Sequence, residues 1–462
     1  MIDNLMTDPL PDLLEIKTLR APPVTTISVP GSKSITNRAL VLAALAGPSG
    51  ASTLHGALHS EDTEIMTECL RALGFQVAVN RAKEAIQVSG GTDLQPIPAP
   101  EAALFVGNSG TTMRFLTALV SLGHGCYRLD GVARMRERPI EDLLEALRQL
   151  GVKAYSERNN GYPPVVVETN GLNGGKANIR ADASSQFLSG LLMAAPLARG
   201  PVILSVNGLV SAPYIDMTVA LMRRFGVRIE ADANQFIVSG NQFQIPKITG
   251  FITNGHANQF VVSGNQFYAP QELKIEPDAS AASYFLAAAA ITKGDVRVCG
   301  LSTWNSLQGD VRFVNILQEM GCRVWREDEG LRVKGQPLHG VTVDMNDISD
   351  CVMTLAVVAL FAKGPTTIRN VAHIRHKETD RLSALATELR RVGARVEVLE
   401  DGLTIDPGPL HAATIETYND HRMAMSMALV GLKVPGMVIR NPGCVAKTYP
   451  RFFEDLERLR IT

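Results

Sequence analysis

One recurring motif limits the folds open to this chain more than any other feature. A helix pattern ends in Leu or Met, two further residues, an apolar residue and Gly, and a short alternating strand pattern follows at once. The motif starts at Leu70, Leu147, Met222, Leu317 and Leu389 and closes on Gly74, Gly151, Gly226, Gly321 and Gly393; a sixth helix pattern, at Leu456, lacks its Gly. Repetition at a fixed period marks supersecondary units that bury their apolar faces on one another. The Gly has a physical task, because a helix commonly ends on a left-handed residue that Gly adopts at no steric cost. The intervals between starts are 77, 75, 95, 72 and 67 residues. The long one contains its own explanation: the run from Ala233 to Phe243 returns almost unchanged from Ala257 to Phe267, an offset of 24, and without it the interval is 71. This reads as a tandem duplication that adds a strand-like segment and a loop, without function, since surface connections tolerate added length.

A second feature keeps the period. Polar helix starts recur at Gly31-Ser32-Lys33-Ser34, Gly107-Asn108-Ser109-Gly110-Thr111-Thr112, Ser184-Ser185-Gln186, Asp278-Ala279-Ser280, Ser349-Asp350 and Asn419-Asp420-His421-Arg422, each ahead of an apolar run. Strands such as 86–88 and 331–333 complete units of two helices and several strands, so the class is α/β. A chain of 462 residues exceeds one hydrophobic core. Six units divide into three per domain.

The 45 Lys and Arg balance 46 Asp and Glu for a net charge of -1, which removes the electrostatic case for a nucleic-acid or anionic-membrane partner. Any anion site must come from local clustering. Cys69, Cys126, Cys299, Cys322, Cys351 and Cys444 show neither metal-ligand spacing nor a dense framework, so reduced, buried thiols in a cytoplasmic protein are expected. Residues 1–12 are acidic and lack the basic start and apolar core of an export signal. The longest apolar run, 352–362, is shorter than the roughly 20 residues a membrane span needs and reads as a buried helix.

N-capping accounts for Ser, Asp and Asn at helix starts. It does not account for Lys, Arg, His or Gln in the same first turns, where a cation opposes the helix dipole unless an anion sits between. Basic residues also gather at Arg134-Met135-Arg136-Glu137-Arg138, at His376-Lys377-Glu378-Thr379-Asp380-Arg381 and at Lys447-Thr448-Tyr449-Pro450-Arg451. Lys377 and Arg381, at i and i+4, are expected on one side of a helix with Glu378 beside them. On their own, such runs read equally as solvated faces, Asp350 as a cap, and Asp380 and Asp420 as ion-pair partners. His373 and His376 stand at metal-ligand spacing, but Arg375 and Lys377 flank them and would repel a cation, so no metal is assigned.

Taken together, seven segments are more specific. Gly31-Ser-Lys-Ser-Ile-Thr-Asn-Arg38, Gly107-Asn-Ser-Gly-Thr-Thr-Met-Arg114, Arg134-Met-Arg-Glu-Arg-Pro139, Ser184-Ser-Gln-Phe187, Lys377-Glu-Thr-Asp-Arg381, Tyr418-Asn-Asp-His-Arg422 and Ala446-Lys-Thr448 come in the order found in the 5-enolpyruvylshikimate-3-phosphate synthases. The chain resembles that family over residues 27–454, interrupted by the duplication. The resemblance implies a two-domain inside-out α/β barrel of six βαβαββ-type repeats, three per domain. The domains would be 31–276 and 1–30 with 277–462, crossing at 27–30 and 276–277 and closing on ligands between them.

It further implies enolpyruvyl transfer from phosphoenolpyruvate to the 5-hydroxyl of shikimate 3-phosphate by a monomer without cofactor or metal. By the same resemblance, Lys33, Ser34, Arg38, Ser184, Ser185, Gln186, Ser211, Tyr214, Asp350 and Lys377 would hold shikimate 3-phosphate. Lys33, Asn108, Gly110, Thr111, Arg134, Arg138, Gln186, Arg381, Arg422 and Lys447 would surround phosphoenolpyruvate. Asp350 would be the hydroxyl base and Glu378 the methylene acid and later base, with a raised pKa. Lys33 would serve the leaving phosphate, with His421 assisting. The residue types suit the chemistry: guanidinium forks fit phosphate and carboxylate, and a group that protonates the methylene can take the proton back.

Two positions depart from the family. His373 stands where some members have an Asn that touches the shikimate phosphate, and that role is not carried over. Phe115 stands where many have Pro, in the turn that shapes the pocket where glyphosate competes with phosphoenolpyruvate. The related UDP-N-acetylglucosamine enolpyruvyl transferases place a reactive Cys where this chain has Arg134 to Pro139, with Cys126 in an earlier strand. A nucleotide-binding P-loop needs Gly directly before Lys, and Ser32 intervenes. A scaffold without catalysis would explain the periodicity but not acids set among phosphate-binding cations.

Overall fold

Each repeat becomes a small sheet accompanied by two helices in the computed structural model, which describes residues 10–92, 95–228, 230–232, 235–238, 259–328 and 330–460. The chain divides into two units, Gly31–Glu276 and Met1–Pro30 with Pro277–Thr462. In the first, α1 (Lys33–Leu45) and α2 (Glu61–Ala72) go with strands ordered Glu272–Lys274, Ser52–His55, Ala85–Ser89 and Gln76–Asn80. Next come α3 (Gly110–Leu119) and α4 (Glu141–Gln149) with Glu101–Phe105, His124–Asp130, Val165–Asn170 and Lys153–Ser156. Then α5 (Gln186–Ala194) and α6 (Pro213–Arg224) go with Gly175–Arg180, Val202–Asn207, Gln259–Val262, Gln235–Val238 and Glu230–Asp232.

The second unit repeats the plan. Helices α7 (Ala279–Thr292) and α8 (Phe313–Glu319) accompany Arg323–Glu327, Gly330–Lys334, Asp295–Cys299 and Val24–Ile27. Helices α9 (Val352–Ala359) and α10 (Arg381–Arg391) accompany Thr342–Asp344, Thr366–Arg369, Leu403–Asp406 and Arg395–Val398. Helices α11 (His421–Gly431) and α12 (Phe452–Glu457) accompany Leu13–Glu15, Val438–Arg440 and Thr414–Ile415.

The first helix of every repeat lies inside. Every residue of α7, α9 and α11 is buried, and these three pack on one another; α3 packs on both α1 and α5. A helix apolar all round, as α7 is from Ala279 to Thr292, has no face to give to water and must be enclosed. Gly190 lets α5 approach α3, since a Cβ there would stand 3.1 Å from the Arg114 carbonyl and 3.2 Å from Ala118. The second helices, such as α4 and α10, keep a charged face outward. All six helix starts therefore belong to enclosed helices, which is what positions the site residues.

The five repeat glycines behave as the motif requires. Gly74, Gly151, Gly226, Gly321 and Gly393 have φ of +89, +84, +90, +113 and +107°. In each case the next residue donates its N–H to the carbonyl of the motif's first residue, at 3.1 Å for Phe75 to Leu70 and 3.0 Å for Val152 to Leu147. The apolar stretch that begins at Val352 is a helix, as expected. The cysteines differ from expectation: Cys69, Cys322 and Cys351 are buried, but Cys126 is exposed and Cys299 and Cys444 are half-buried. Cys126 faces outward because its neighbour Tyr127 takes the inward position on the strand.

The duplicated segment pairs with itself. Gln235–Val238 from the first copy runs parallel to Gln259–Val262 from the second, and every residue faces its own duplicate: Gln235 with Gln259, Phe236 with Phe260, Ile237 with Val261, Val238 with Val262. The second copy takes the inner place against Val202–Asn207, and the first pairs outward with Glu230–Asp232. The expected loop between the copies, 239–258, lies outside the described residues.

Two predictions follow from these local rules. Deleting residues 239–262 joins Val238 to Ser263 and restores a four-stranded sheet, so the protein should stay folded with a urea-unfolding free energy changed by about 1 kcal/mol or less; an insoluble product would contradict the reading. Gly151→Ala should cost about 1–2 kcal/mol from the left-handed backbone alone, its Cβ meeting only Asn173 Nδ2 at 3.3 Å. Gly393→Ala should cost more, because its Cβ collides with the Pro409 carbonyl.

Candidate active site

The expected ligand residues fall into two sets, one on each unit. On Gly31–Glu276, Ser32 caps α1 and Lys33 opens it, with Lys33 Nζ 3.1 Å from Asp62 Oδ2 at the start of α2. Arg38, one turn later, is almost wholly buried. Its Nε donates to Thr218 Oγ1 at 2.8 Å, Nη1 to the Ser34 carbonyl at 3.0 Å, and Nη2 to Ser189 Oγ and the Tyr214 carbonyl, both at 3.3 Å. Phe115 and Tyr214 lie against the guanidinium at 5.1 and 5.6 Å. Burial lowers the Arg38 pKa to about 10, with Tyr214 a smaller opposing influence. All but one of its N–H groups are used on the protein, so Arg38 ties α1, α5 and α6 together and orients Ser34 and Tyr214.

A second cluster surrounds the start of α3. Arg138 Nη1 donates to the Asn108 carbonyl at 3.1 Å, and Arg114 donates to the carbonyls of Gly110 and Pro139 at 3.2 and 3.0 Å. Both guanidiniums press on Gly110, where a Cβ would collide with Arg138 and come within 2.7 Å of Arg114 Nη1. Gln186 Nε2 reaches Thr111 Oγ1 at 3.3 Å, joining the starts of α5 and α3, and Ser184 Oγ accepts from the Gln186 N–H at 3.2 Å. Ser185 and Ser211 are buried, and Ser211 has φ of +52°, a left-handed conformation costing about 1–2 kcal/mol in a non-Gly residue. Such strain persists where surrounding structure fixes it and concentrates at functional sites. Arg134 sits on the turn before Arg138 and pairs with Glu137 at 2.9 Å.

On the other unit the residues converge on Arg381, which is 2% exposed. Its guanidinium meets Glu378 Oε2 at 2.9 Å, Asp420 Oδ2 at 2.8 Å and Asp350 Oδ1 at 3.2 Å. Arg422 Nη2 takes the other Asp350 oxygen at 2.7 Å and its Nη1 reaches Tyr284 at 3.4 Å. Lys447 Nζ lies 4.0 Å from Glu378 Oε1, and the buried His421 ring stands 3.7 Å from Asp420. Burial works against the Arg381 charge, but Asp420, Glu378 and Asp350 together more than offset it and hold its pKa above the ordinary value. His373 is buried and its pKa falls to about 3, from burial first and then the positive charge of Lys377, so its ring is neutral.

Two expectations are corrected. Lys377 and Arg381 do not share a helical face: Asp380 caps α10, which begins at Arg381, and Lys377 is extended with ψ of -151°. The cap bond from the Ser383 N–H to Asp380 fixes that start. Asp350 is not the cap of α9 either; it lies in a 3-10 stretch, Asn346–Cys351, and spends both oxygens on arginines. Asp420 is an ion-pair partner, as expected, and caps α11 as well. Sequence reasoning passed over Asp62, Arg114 and Tyr284. Asp62 reads locally as an ordinary acidic helix start.

Comparison with known proteins extends this geometry. The chain matches the family model described as EPSP synthase (3-phosphoshikimate 1-carboxyvinyltransferase) over residues 20–250 and 244–456, the two stretches overlapping between the duplicated runs. A 3-phosphoshikimate 1-carboxyvinyltransferase from Nostoc punctiforme is 49% identical over 97% of this chain and 100% of its own length. One from Shewanella oneidensis is 44% identical over 96% and 100%. Among solved structures, an EPSP synthase from Acinetobacter baumannii is similar with a TM-score of 0.78 at 25% identity, over 97% of this chain and 98% of that one.

The buried network gives a stability prediction. Asp420→Ala leaves Arg381 short of its shortest ion pair and removes the cap of α11, so unfolding in urea should show a loss of about 3–5 kcal/mol. A loss under about 1 kcal/mol, the range of exposed pairs, would contradict the account.

Proposed function

We infer how the side chains share the work from the family to which the chain belongs: it is a member of the EPSP synthases and transfers the enolpyruvyl group of phosphoenolpyruvate to shikimate 3-phosphate in the shikimate pathway, releasing phosphate. The two buried sets serve this one reaction. Asp350 accepts the proton of the attacking 5-hydroxyl. The oxygen bonds to the central carbon of phosphoenolpyruvate while Glu378 delivers a proton to the methylene carbon, which becomes methyl. Glu378 then takes a methyl proton back, the double bond re-forms, and the C–O bond to phosphate breaks with its electron pair on the departing phosphate. Lys33 meets that phosphate and His421 assists.

The observation that carries this reading is Glu378 held between Arg381 at 2.9 Å and Lys447 at 4.0 Å, in one buried cluster with Asp350. Before phosphoenolpyruvate binds, Arg381 and Lys447 are the cations beside Glu378 and suit it to accept a proton. The phosphate and carboxylate of phosphoenolpyruvate would offset Arg381, Arg422 and Lys447, and that is the moment at which Glu378 becomes a proton donor. Arg138, Asn108, Gly110, Thr111 and Gln186, with Arg134, are assigned to phosphoenolpyruvate from the family's pattern. Lys33, Ser34, Ser184, Ser185, Gln186, Ser211, Tyr214, Asp350 and Lys377 hold shikimate 3-phosphate, and Arg38 acts by orienting Ser34 and Tyr214.

The protein works as a cytoplasmic monomer in this reading. Supporting this, exposed large apolar side chains such as Val24, Phe105 and Trp304 lie on separate elements, and among the described residues no helix is long and apolar enough to cross a membrane. Phosphate release from phosphoenolpyruvate should require shikimate 3-phosphate and ignore UDP-sugars, and Glu378→Gln should lower kcat by about a thousandfold. Full turnover by the variant would refute the assignment of Glu378.

A further inference from the structure

The mechanism leaves one buried carboxyl unused. Asp310 sits in a short turn, Gly309–Arg312, and is 5% exposed. Its Oδ2 shares a short hydrogen bond with Ser280 Oγ in the first turn of α7. Its Oδ1 is buried without a hydrogen-bond partner. The neighbouring Gln308 caps the entry to α7, accepting from the Ala279 N–H at 2.9 Å and donating to the Pro277 carbonyl at 2.7 Å, so the backbone carrying Asp310 is fixed.

An ionised carboxylate offers about four acceptor positions and is costly to bury with only one of them satisfied. A carboxylic acid in the same place costs far less because it carries no charge: Oδ2 still accepts from the Ser280 hydroxyl, though more weakly than a carboxylate would, and a neutral Oδ1 without a partner is cheaper to bury than an ionised one. We propose that Asp310 is a positioning residue that carries a proton in the working enzyme and thereby keeps Asp350 the single ionised carboxylate facing Arg422 from that side.

The charges that face Asp310 support the assignment. They are Asp350 on the adjoining turn, Arg422 on α11 and Asp278 at the cap of α7, and the Cys351 thiol lies in its field. Arg312 and Asp347, on the same two turns, pair with each other at 3.3 Å on the exposed side. Burial first, and the negative charge of Asp350 second, raise the Asp310 pKa to about 7, against the Ser280 hydrogen bond and Arg422. Below that value Asp310 is neutral and Arg422 is shared between Asp350 and ligand. Above it a second negative charge competes for Arg422, the guanidinium assigned to phosphoenolpyruvate, and raises the proton affinity of Asp350.

The inference rests on the roles proposed above for Asp350 and Arg422. Its test is the pH dependence of kcat/KM for phosphoenolpyruvate in the wild-type protein and in Asp310→Asn, which mimics the neutral acid. Substrate phosphates titrate equally in both, so the ratio of the two profiles isolates Asp310. That ratio, wild type over variant, should fall roughly tenfold between about pH 6.5 and about pH 8.5, with the variant within about threefold of wild type at the acid end. A constant ratio would overturn the proposal, as would a variant inactive at every pH while folded. Should Asp310→Asn fail to fold, Ser280→Ala removes the hydrogen bond that favours the ionised form and should move the wild-type break to higher pH; an unmoved break would overturn it equally. Asp350→Ala separates the two levels, because an active Asp350→Ala enzyme refutes the base assigned to the reaction, whereas an inactive one with a constant Asp310 ratio refutes only the proton held on Asp310.

Discussion

The buried guanidinium of Arg381 is the constraint on which the rest of its unit depends. A cation 2% exposed cannot be left to water, and three carboxylates from three elements answer it: Glu378 before α10, Asp350 before α9 and Asp420 at the cap of α11. Burying ions costs several kcal/mol each, so the arrangement is sustained only by close geometry and by hydrogen bonds that use the remaining lone pairs. Asp350 supplies such geometry by giving one oxygen to Arg381 and the other to Arg422. Removing any member alters the charge on every other. The same coupling is what the proposed proton transfer at Glu378 draws on, because any added charge acts on a cluster whose cations and carboxylates already face one another.

The inside-out arrangement explains why such a cluster can exist. Helices α7, α9 and α11 are enclosed by sheets rather than enclosing them, so their N-terminal turns reach a common polar region without passing through solvent. Each turn presents N–H groups that lack helical partners, and each carries a partial positive charge. Asp278 and Asp420 satisfy some of those donors as caps. Arg422 adds positive charge where the dipole is already unfavourable, and Asp350 offsets it at 2.7 Å.

What could be read from the sequence was local or periodic. The five repeat glycines were legible because a left-handed helix end is a property of one residue, and the caps at Ser32, Ser109, Asp278 and Asp420 because a cap spans four. Lys377 was misread for a reason of the same kind: the i, i+4 spacing and the Asp380 cap made competing local claims, and the cap's hydrogen bond decided where the helix starts. Asp62, Tyr284 and Asp310 were not legible, because their surroundings are made by residues far away in the chain. Asp310 meets Ser280 across 30 positions, and nothing near Gln308-Gly309-Asp310 marks it as buried. The ordered set of seven segments pointed to the family, whereas which oxygen meets which nitrogen is a tertiary fact.

The duplication illustrates how a periodic fold absorbs a change its sequence makes plain. A copied strand has one neighbour whose sequence matches it, namely its original, and the two backbones pair in parallel with each residue opposite its duplicate, as Phe236 is opposite Phe260. Parallel pairing needs a return connection of about a dozen residues or more. The offset of 24 supplies it, because 239–258 separates the two four-residue strands. A duplication much shorter than this would have left no room for the return and forced one copy out of the sheet. The strand that pairs with Val202–Asn207 is the second copy, so the first copy is accommodated farther out in the strand order. Ser184, Ser185, Gln186, Ser211 and Tyr214 precede the duplication in sequence and lie at the starts of α5 and α6, apart from the strands that the copy adds.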